Sequence, residues 1–258
     1  MIRRLIIAIC LVFMYTISCT SPQNLSKTDK QILKFTIIGD SYSTYDGWNN
    51  KGNDFATYYP TSSVTDVSDV AYTWWYKLHY TPEFQLEKLN AYSGSTISYK
   101  KGSTVFKEGD KRSFCSRLSQ SDMGNPDVIM IFGGTNDAWN NTDADLGYYK
   151  YDDFTQSDLE YFRPAFAYMI DYLIRNYPDA RIFNITNSGR GGKPEGGLTQ
   201  GIADSMEEIC RHYNITNIIL PSILDSGKTN NHPNKEGMVI IFEQVYSALK
   251  KDLVFKAI

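Results

Sequence analysis

The run Phe35-Thr36-Ile37-Ile38, stopped by Gly39-Asp40-Ser41-Tyr42-Ser43, constrains this chain more than any other stretch. A short apolar, β-branched run ended by glycine predicts a buried strand with a sharp turn at its carboxyl end. Ligands of open α/β sheets sit at the carboxyl ends of strands. An aspartate and a serine delivered there are candidates for chemistry, although serine at a strand end also serves as a turn or cap residue.

The same pattern recurs. Pro126-Asp127-Val128-Ile129-Met130-Ile131-Phe132 predicts a second buried strand and ends in Gly133-Gly134-Thr135-Asn136-Asp137. Phe84 to Asn90 predicts a strand that leads into Ala91-Tyr92-Ser93-Gly94-Ser95-Thr96, and Ala180 to Thr186 and Asn217 to Leu220 predict two more. Between them, helical spacing is expected over Val70 to His79, Arg112 to Ser121, Ser157 to Asn176 and Leu198 to Tyr213. Near the C-terminus, Asn231-His232-Pro233 precedes Asn234-Lys235-Glu236-Gly237-Met238 and a last helix. Strands alternating with helices predict a parallel sheet covered on both faces, a three-layer α/β/α sandwich of flavodoxin-like type with about five strands.

Serine, glycine, asparagine and histidine thus arrive in that order, mostly after strands. In these residues the chain resembles the SGNH hydrolases, also called GDSL-like esterases and acylhydrolases, over nearly its whole mature length. The resemblance implies that Ser41 is the nucleophile and His232 its general base. It also implies an oxyanion hole made of the Ser41 and Gly94 backbone N–H groups and the Asn136 side-chain amide. Asn136 suits that role chemically, because an amide donates hydrogen bonds. Asp40 and Asp137 are expected to hold their loops rather than to do chemistry.

The last block departs from the family, which carries aspartate three residues before the histidine; here that position is Thr229. The nearest upstream acid is Asp225. Three arrangements stay open for the support of His232: Asp225 looping back, a backbone carbonyl in its place, or a serine–histidine dyad.

A chain of 258 residues with 42% hydrophobic content buries one sizeable core without a second domain. A net charge of −3 and the lack of a long basic run give no support to a nucleic-acid partner. No metal and no cofactor is implied. A two-metal phosphoesterase needs more histidine and carboxylate ligands than Asp40, Asn136 and His232 supply.

Met1-Ile2-Arg3-Arg4 followed by an apolar stretch from Leu5 to Ile17 reads as a secretory signal, being shorter than the roughly 20 residues of a membrane-spanning helix. Cys19 looks like the lipidated cysteine of a bacterial lipoprotein, although Thr16 stands where such signals carry leucine; cleavage without lipidation is the alternative. The domain reading is then residues 1–18 as signal peptide, 19–31 as lipidated tether and 32–258 as the hydrolase domain. The expected location is the bacterial cell envelope, with a lipid anchor as the membrane contact. Cys115 and Cys210 read either as one bridge or as buried small hydrophobes.

The expected activity is hydrolysis of small acyl esters such as acetyl, on a small-molecule or glycan substrate. The alternatives are a carbohydrate-binding protein that has kept the fold without the chemistry, and a lipid esterase of lysophospholipase type. The long insert after Ser41, with Trp48, Tyr58 and Tyr59, reads equally as a pocket wall or as core cover.

Overall fold

The computed structural model describes residues 32–49, 56–61, 65–99, 113–119, 122–140, 143–187, 198–221, 228–229 and 231–254. The proposed signal and tether, with Cys19, lie outside them, as does Asp225. Five parallel strands form the sheet: β1 (Leu33–Gly39), β2 (Phe84–Ala91), β3 (Val128–Phe132), β4 (Arg181–Thr186) and β5 (Thr216–Ile219). Their spatial order is β2-β1-β3-β4-β5, the flavodoxin-like arrangement expected from the sequence.

Side chains on a strand alternate between faces, and here the alternation builds two cores. Ile38, Ile129, Ile131 and Ile182 pack on one face with α2 (Phe114–Leu118), α4 (Phe162–Asn176) and α5 (Gln200–His212). Phe35, Ile37, Met130, Phe132, Phe183 and Ile185 pack on the other with α1 (Trp74–His79) and α6 (Lys235–Leu249). A short α3 (Thr135–Asn140) follows β3 directly. Parallel strands buried on both faces read as continuous apolar runs, which is why β1 and β3 were legible. Cys115 and Cys210 are both free and buried in the first core, so they are small hydrophobes rather than a bridge.

The long helices follow their apolar spacing. In α4, Phe162, Phe166, Met169, Ile170 and Leu173 are buried on one stripe. In α6, Met238, Ile241, Val245 and Leu249 form the stripe, and the Asn234 side chain caps the first turn by accepting from Gly237 N–H at 3.0 Å. Fully burying one such side chain stabilises by roughly 1.5–3 kcal/mol.

Two expected helices are broken. The 70–79 stretch splits into a 3-10 turn, Val70–Tyr72, and α1, because Asp69 and Thr73 each cap a separate start. The 157–176 stretch splits at Tyr161, which is extended. Asp158 is occupied there, accepting from Tyr148, Lys150 and Thr155, and Pro164 confines the first turn of α4. A two-stranded antiparallel pair, β6 (Lys228–Thr229) with β7 (His232–Pro233), was not foreseen.

The strand order reverses direction between β1 and β3, and the crevice outside their carboxyl ends is where such folds hold ligands. Ser41 follows β1, the Gly94 turn follows β2 and Asn136 follows β3. Topology alone brings three of the four motifs to one edge.

Candidate active site

At the end of β1 the chain turns through a single 3-10 turn, Ser41–Ser43. Asp40 caps it, its Oδ1 accepting from Tyr42 N–H at 3.1 Å. Asp40 therefore holds the turn, as expected. The Ser41 side chain points to the last block, and its Oγ lies 2.9 Å from His232 Nε2. For Nε2 to accept from that hydroxyl, the neutral ring carries its proton on Nδ1.

His232 opens β7 and sits just ahead of α6. The other two histidines are employed elsewhere. His79 Nδ1 accepts from Leu86 N–H at 3.1 Å and fastens α1 to β2, while His212 stacks on Tyr151.

Gly94 lies in the turn after β2 with φ +80°, and a Cβ built there would meet nothing within 4 Å. Open space beside a left-handed backbone fits a position where a ligand approaches main chain. Tyr92 N–H donates to the carbonyl of Gly39 at 3.1 Å, tying this turn to the end of β1. Asn136, in the first turn of α3, donates from Nδ2 to the carbonyl of Ser95 at 2.9 Å, which ties the same turn to the end of β3. Among the described residues, neither the Ser41 nor the Gly94 N–H donates to a main-chain carbonyl.

Gly134 is also left-handed, with φ +93°, and its Cβ would lie 2.6 Å from the Met206 methyl. The double glycine thus lets β3 end in a tight turn against α5. Asp137 is fully buried; it accepts from Ile97 N–H at 2.8 Å and from the Ser98 N–H and hydroxyl at 3.0 and 2.7 Å. It anchors the loop after Gly94, the role expected of it. Burial pushes its carboxyl up to about 6, against the pull of those hydrogen bonds.

A buried charge beneath the nucleophile was missed from the sequence. Arg117 of α2 is fully buried, donating from Nε to Asn90 Oδ1 at 3.2 Å and from Nη2 to the Gly39 carbonyl at 2.9 Å. Its guanidinium lies 4.5 Å from the centre of the Phe114 ring. Burial pushes Asp40 up to about 7, opposed by the Tyr42 N–H and, more weakly, by Arg117. Burial likewise brings Arg117 down to about 9, opposed by Asp40. Desolvation opposes the charge on both members and outweighs their mutual attraction. One arginine inside the otherwise uncharged Phe114-Cys115-Ser116-Arg117-Leu118 was the available signal.

The insert after Ser41 contributes both alternatives read from the sequence. Tyr59 is core, with no exposed surface, and Trp48 leans on Trp75 and Tyr76. Tyr58 instead lies flat on His232, ring centres 3.5 Å apart and planes 5° from parallel. The tyrosine-rich 148–151 stretch packs on its own surroundings, with Tyr148 donating to Asp158, Tyr149 under Arg163 and Tyr151 on His212. Trp139, just past Asn136, is partly buried and packs against the first core.

Comparison with known proteins agrees with this architecture. A protein described as a GDSL-like lipase from Bacteroides uniformis superposes with a TM-score of 0.73 at 40% identity, covering 85% of this chain and 96% of its own. Another so described, from Bacteroides ovatus, gives 0.73 at 36% identity, covering 86% and 99%. A family two carbohydrate esterase from Clostridium thermocellum, at 17% identity and a TM-score of 0.53 over 86% of this chain and 65% of that one, shares the fold. No curated protein matches the chain. The model of the GDSL-like lipase/acylhydrolase family matches residues 33–249, and the chain belongs to that family.

Proposed function

We propose that this protein is a serine esterase that removes small acyl groups, acetyl above all, from carbohydrate substrates. The observation that carries the reading is the 2.9 Å contact between Ser41 Oγ and His232 Nε2 at the carboxyl end of the sheet. That distance is within hydrogen-bond reach of a nucleophile and its general base.

In this mechanism Ser41 attacks the ester carbonyl while its proton passes to Nε2 of His232. The oxygen that becomes negative is held by the N–H groups of Ser41 and Gly94 and by the Asn136 amide. The protonated histidine then gives its proton to the leaving alcohol, and an acyl group remains on Ser41. Water, activated by the same ring, releases the acid and restores the enzyme. Asp225 is the proposed acid behind His232, and its contribution is read from the turnover of Asp225→Asn.

The carbohydrate part rests on two supports: a fold neighbour described as a carbohydrate esterase, and an N-terminus that reads as a signal and lipid tether at Cys19. An enzyme held at the cell envelope meets acylated glycans. The test is rate against acyl chain length on p-nitrophenyl esters, beside acetate release from acetylated xylan. Preference for acetate and release from the polymer support the reading; preference for long chains replaces it with a lipid esterase.

A further inference from the structure

His232 is held at three points by three tyrosines that come from the other end of the chain. Tyr42 Oη donates to the carbonyl of Asn231 at 2.8 Å, and Tyr59 Oη donates to the carbonyl of Pro233 at 2.6 Å. The main-chain oxygens on both sides of the histidine are thus fixed. Tyr58 covers the ring between them, stacked at 3.5 Å. Tyr42 and Tyr59 also meet the imidazole edge-on, at 5.4 and 6.5 Å between centres.

The tyrosines are themselves fixed to the nucleophile turn. Tyr42 adjoins Ser41 in the single 3-10 turn. Thr44 Oγ1 donates to the Ser41 carbonyl at 3.0 Å and accepts from Tyr58 N–H at 2.8 Å. Thr61 Oγ1 donates to the Tyr58 carbonyl, so both main-chain groups of Tyr58 are engaged. Asp46 N–H donates to the Tyr59 carbonyl at 2.8 Å. The parts that set the nucleophile therefore also set the base.

We propose that Tyr42, Tyr58 and Tyr59 form a cradle that positions His232 for proton transfer with Ser41. This rests on the serine–histidine reading above and adds to it the groups that orient the ring. A face-stacked phenol excludes water from one side of the imidazole and stops rotation about its Cβ–Cγ bond. The two hydroxyl anchors keep the backbone from shifting the ring away from Oγ. Burial pushes both the Tyr42 and the Tyr59 phenols upward, so they stay protonated and remain donors across the working pH range. These are positioning residues, since none of their described contacts is with the reacting oxygen.

The experiment follows phosphonylation of the full-length protein by a fluorophosphonate probe, which needs no natural substrate. An Oγ–P bond forms at Ser41, the P–F bond breaks with loss of fluoride, and the serine proton passes to His232. Tyr58→Ala is expected to slow labelling by tens to about a hundredfold, the usual effect of displacing a reacting group by an ångström. Tyr58→Phe, which keeps the ring, restores most of that loss. Tyr42→Phe and Tyr59→Phe, which keep the rings and lose the anchors, each slow labelling several-fold. On p-nitrophenyl acetate the loss falls on kcat, with KM within about twofold. Thermal melts of the same samples establish that each variant is folded, and the half-buried Tyr58 supplies a decisive pair if the buried tyrosines do not tolerate change.

Labelling of folded Tyr58→Ala at the wild-type rate overturns the cradle, as does a loss confined to KM or a Tyr58→Phe as slow as Tyr58→Ala. Labelling that persists in Ser41→Ala overturns the serine–histidine reading instead. The two failures are thereby distinguished.

Discussion

Arg117 and Gly39 meet through a buried hydrogen bond, Nη2 to carbonyl oxygen at 2.9 Å, one peptide away from the Asp40-Ser41 turn. The same carbonyl accepts from Tyr92 N–H, so the ends of β1 and β2 and the inner end of α2 converge on one oxygen. A guanidinium makes several such bonds in a plane, which an ammonium on a flexible stem does not reproduce. The nucleophile turn is therefore set on a rigid floor.

Replacing Arg117 removes bonds to Gly39 and Asn90 and takes away a positive charge that attracts the Asp40 carboxylate. Arg117→Leu is expected to lower stability by about 2–4 kcal/mol in urea unfolding, with Arg117→Lys recovering only part of it. An Arg117→Leu protein as stable as wild type would contradict this.

Asp40 gives stability a definite pH dependence. Its carboxyl titrates near 3.8 when exposed and at about 7 in the folded protein. Between those values the folded state holds a proton that the unfolded chain has released, so stability falls as pH rises through this window. Asp40→Asn removes that contribution. Relative to wild type, the variant should gain stability steadily from about pH 4 to about pH 7 and then level off. The slope is the readout, because the amide adds a pH-independent offset where Oδ2 lacks a partner among the described residues. A wild-type-minus-variant difference that is flat with pH would refute the assignment.

Asn136 is anchored by its donation to Ser95, which aims the amide at the Gly94 turn. Asn136→Ala should reduce kcat by about a hundred- to a thousandfold with little effect on KM, the effect of losing one oxyanion donor. Steady-state kinetics on p-nitrophenyl acetate measures it. A tenfold rise in KM at unchanged kcat would make Asn136 a substrate-binding residue only.

Gly94 has room for a methyl group but the wrong backbone angle for one. Gly94→Ala is expected to cost roughly 1–2 kcal/mol of stability and to lower kcat by displacing an N–H donor. A variant with the wild-type melting temperature and full kcat would show that neither the angle nor the donor matters.

What was legible in the sequence follows from how local each signal is. β1 and β3 were plain because strands buried on both faces are apolar without interruption, and the turn residues after them announce a crevice. The motif residues Ser41, Gly94 and Asn136 could be placed at one edge from strand order alone. The breaks at Thr73 and Tyr161 were hidden because apolar spacing continues across them, and only a competing cap or an occupied carboxylate stops the helix. The role of Arg117, marked only as a lone charge in an apolar helix, and the tyrosine anchors were illegible for another reason. Their partners are backbone carbonyls up to 189 residues away, and a carbonyl leaves no mark in a sequence.

The central claim is that Ser41, activated by His232, forms and discharges an acyl-enzyme. Its most direct test is hydrolysis of p-nitrophenyl acetate by the purified protein beside Ser41→Ala and His232→Ala, each with and without a metal chelator. The account predicts turnover in the wild type that survives the chelator and is lost in both variants. Turnover that persists in folded Ser41→Ala, or that disappears from the wild type on chelation, would contradict it.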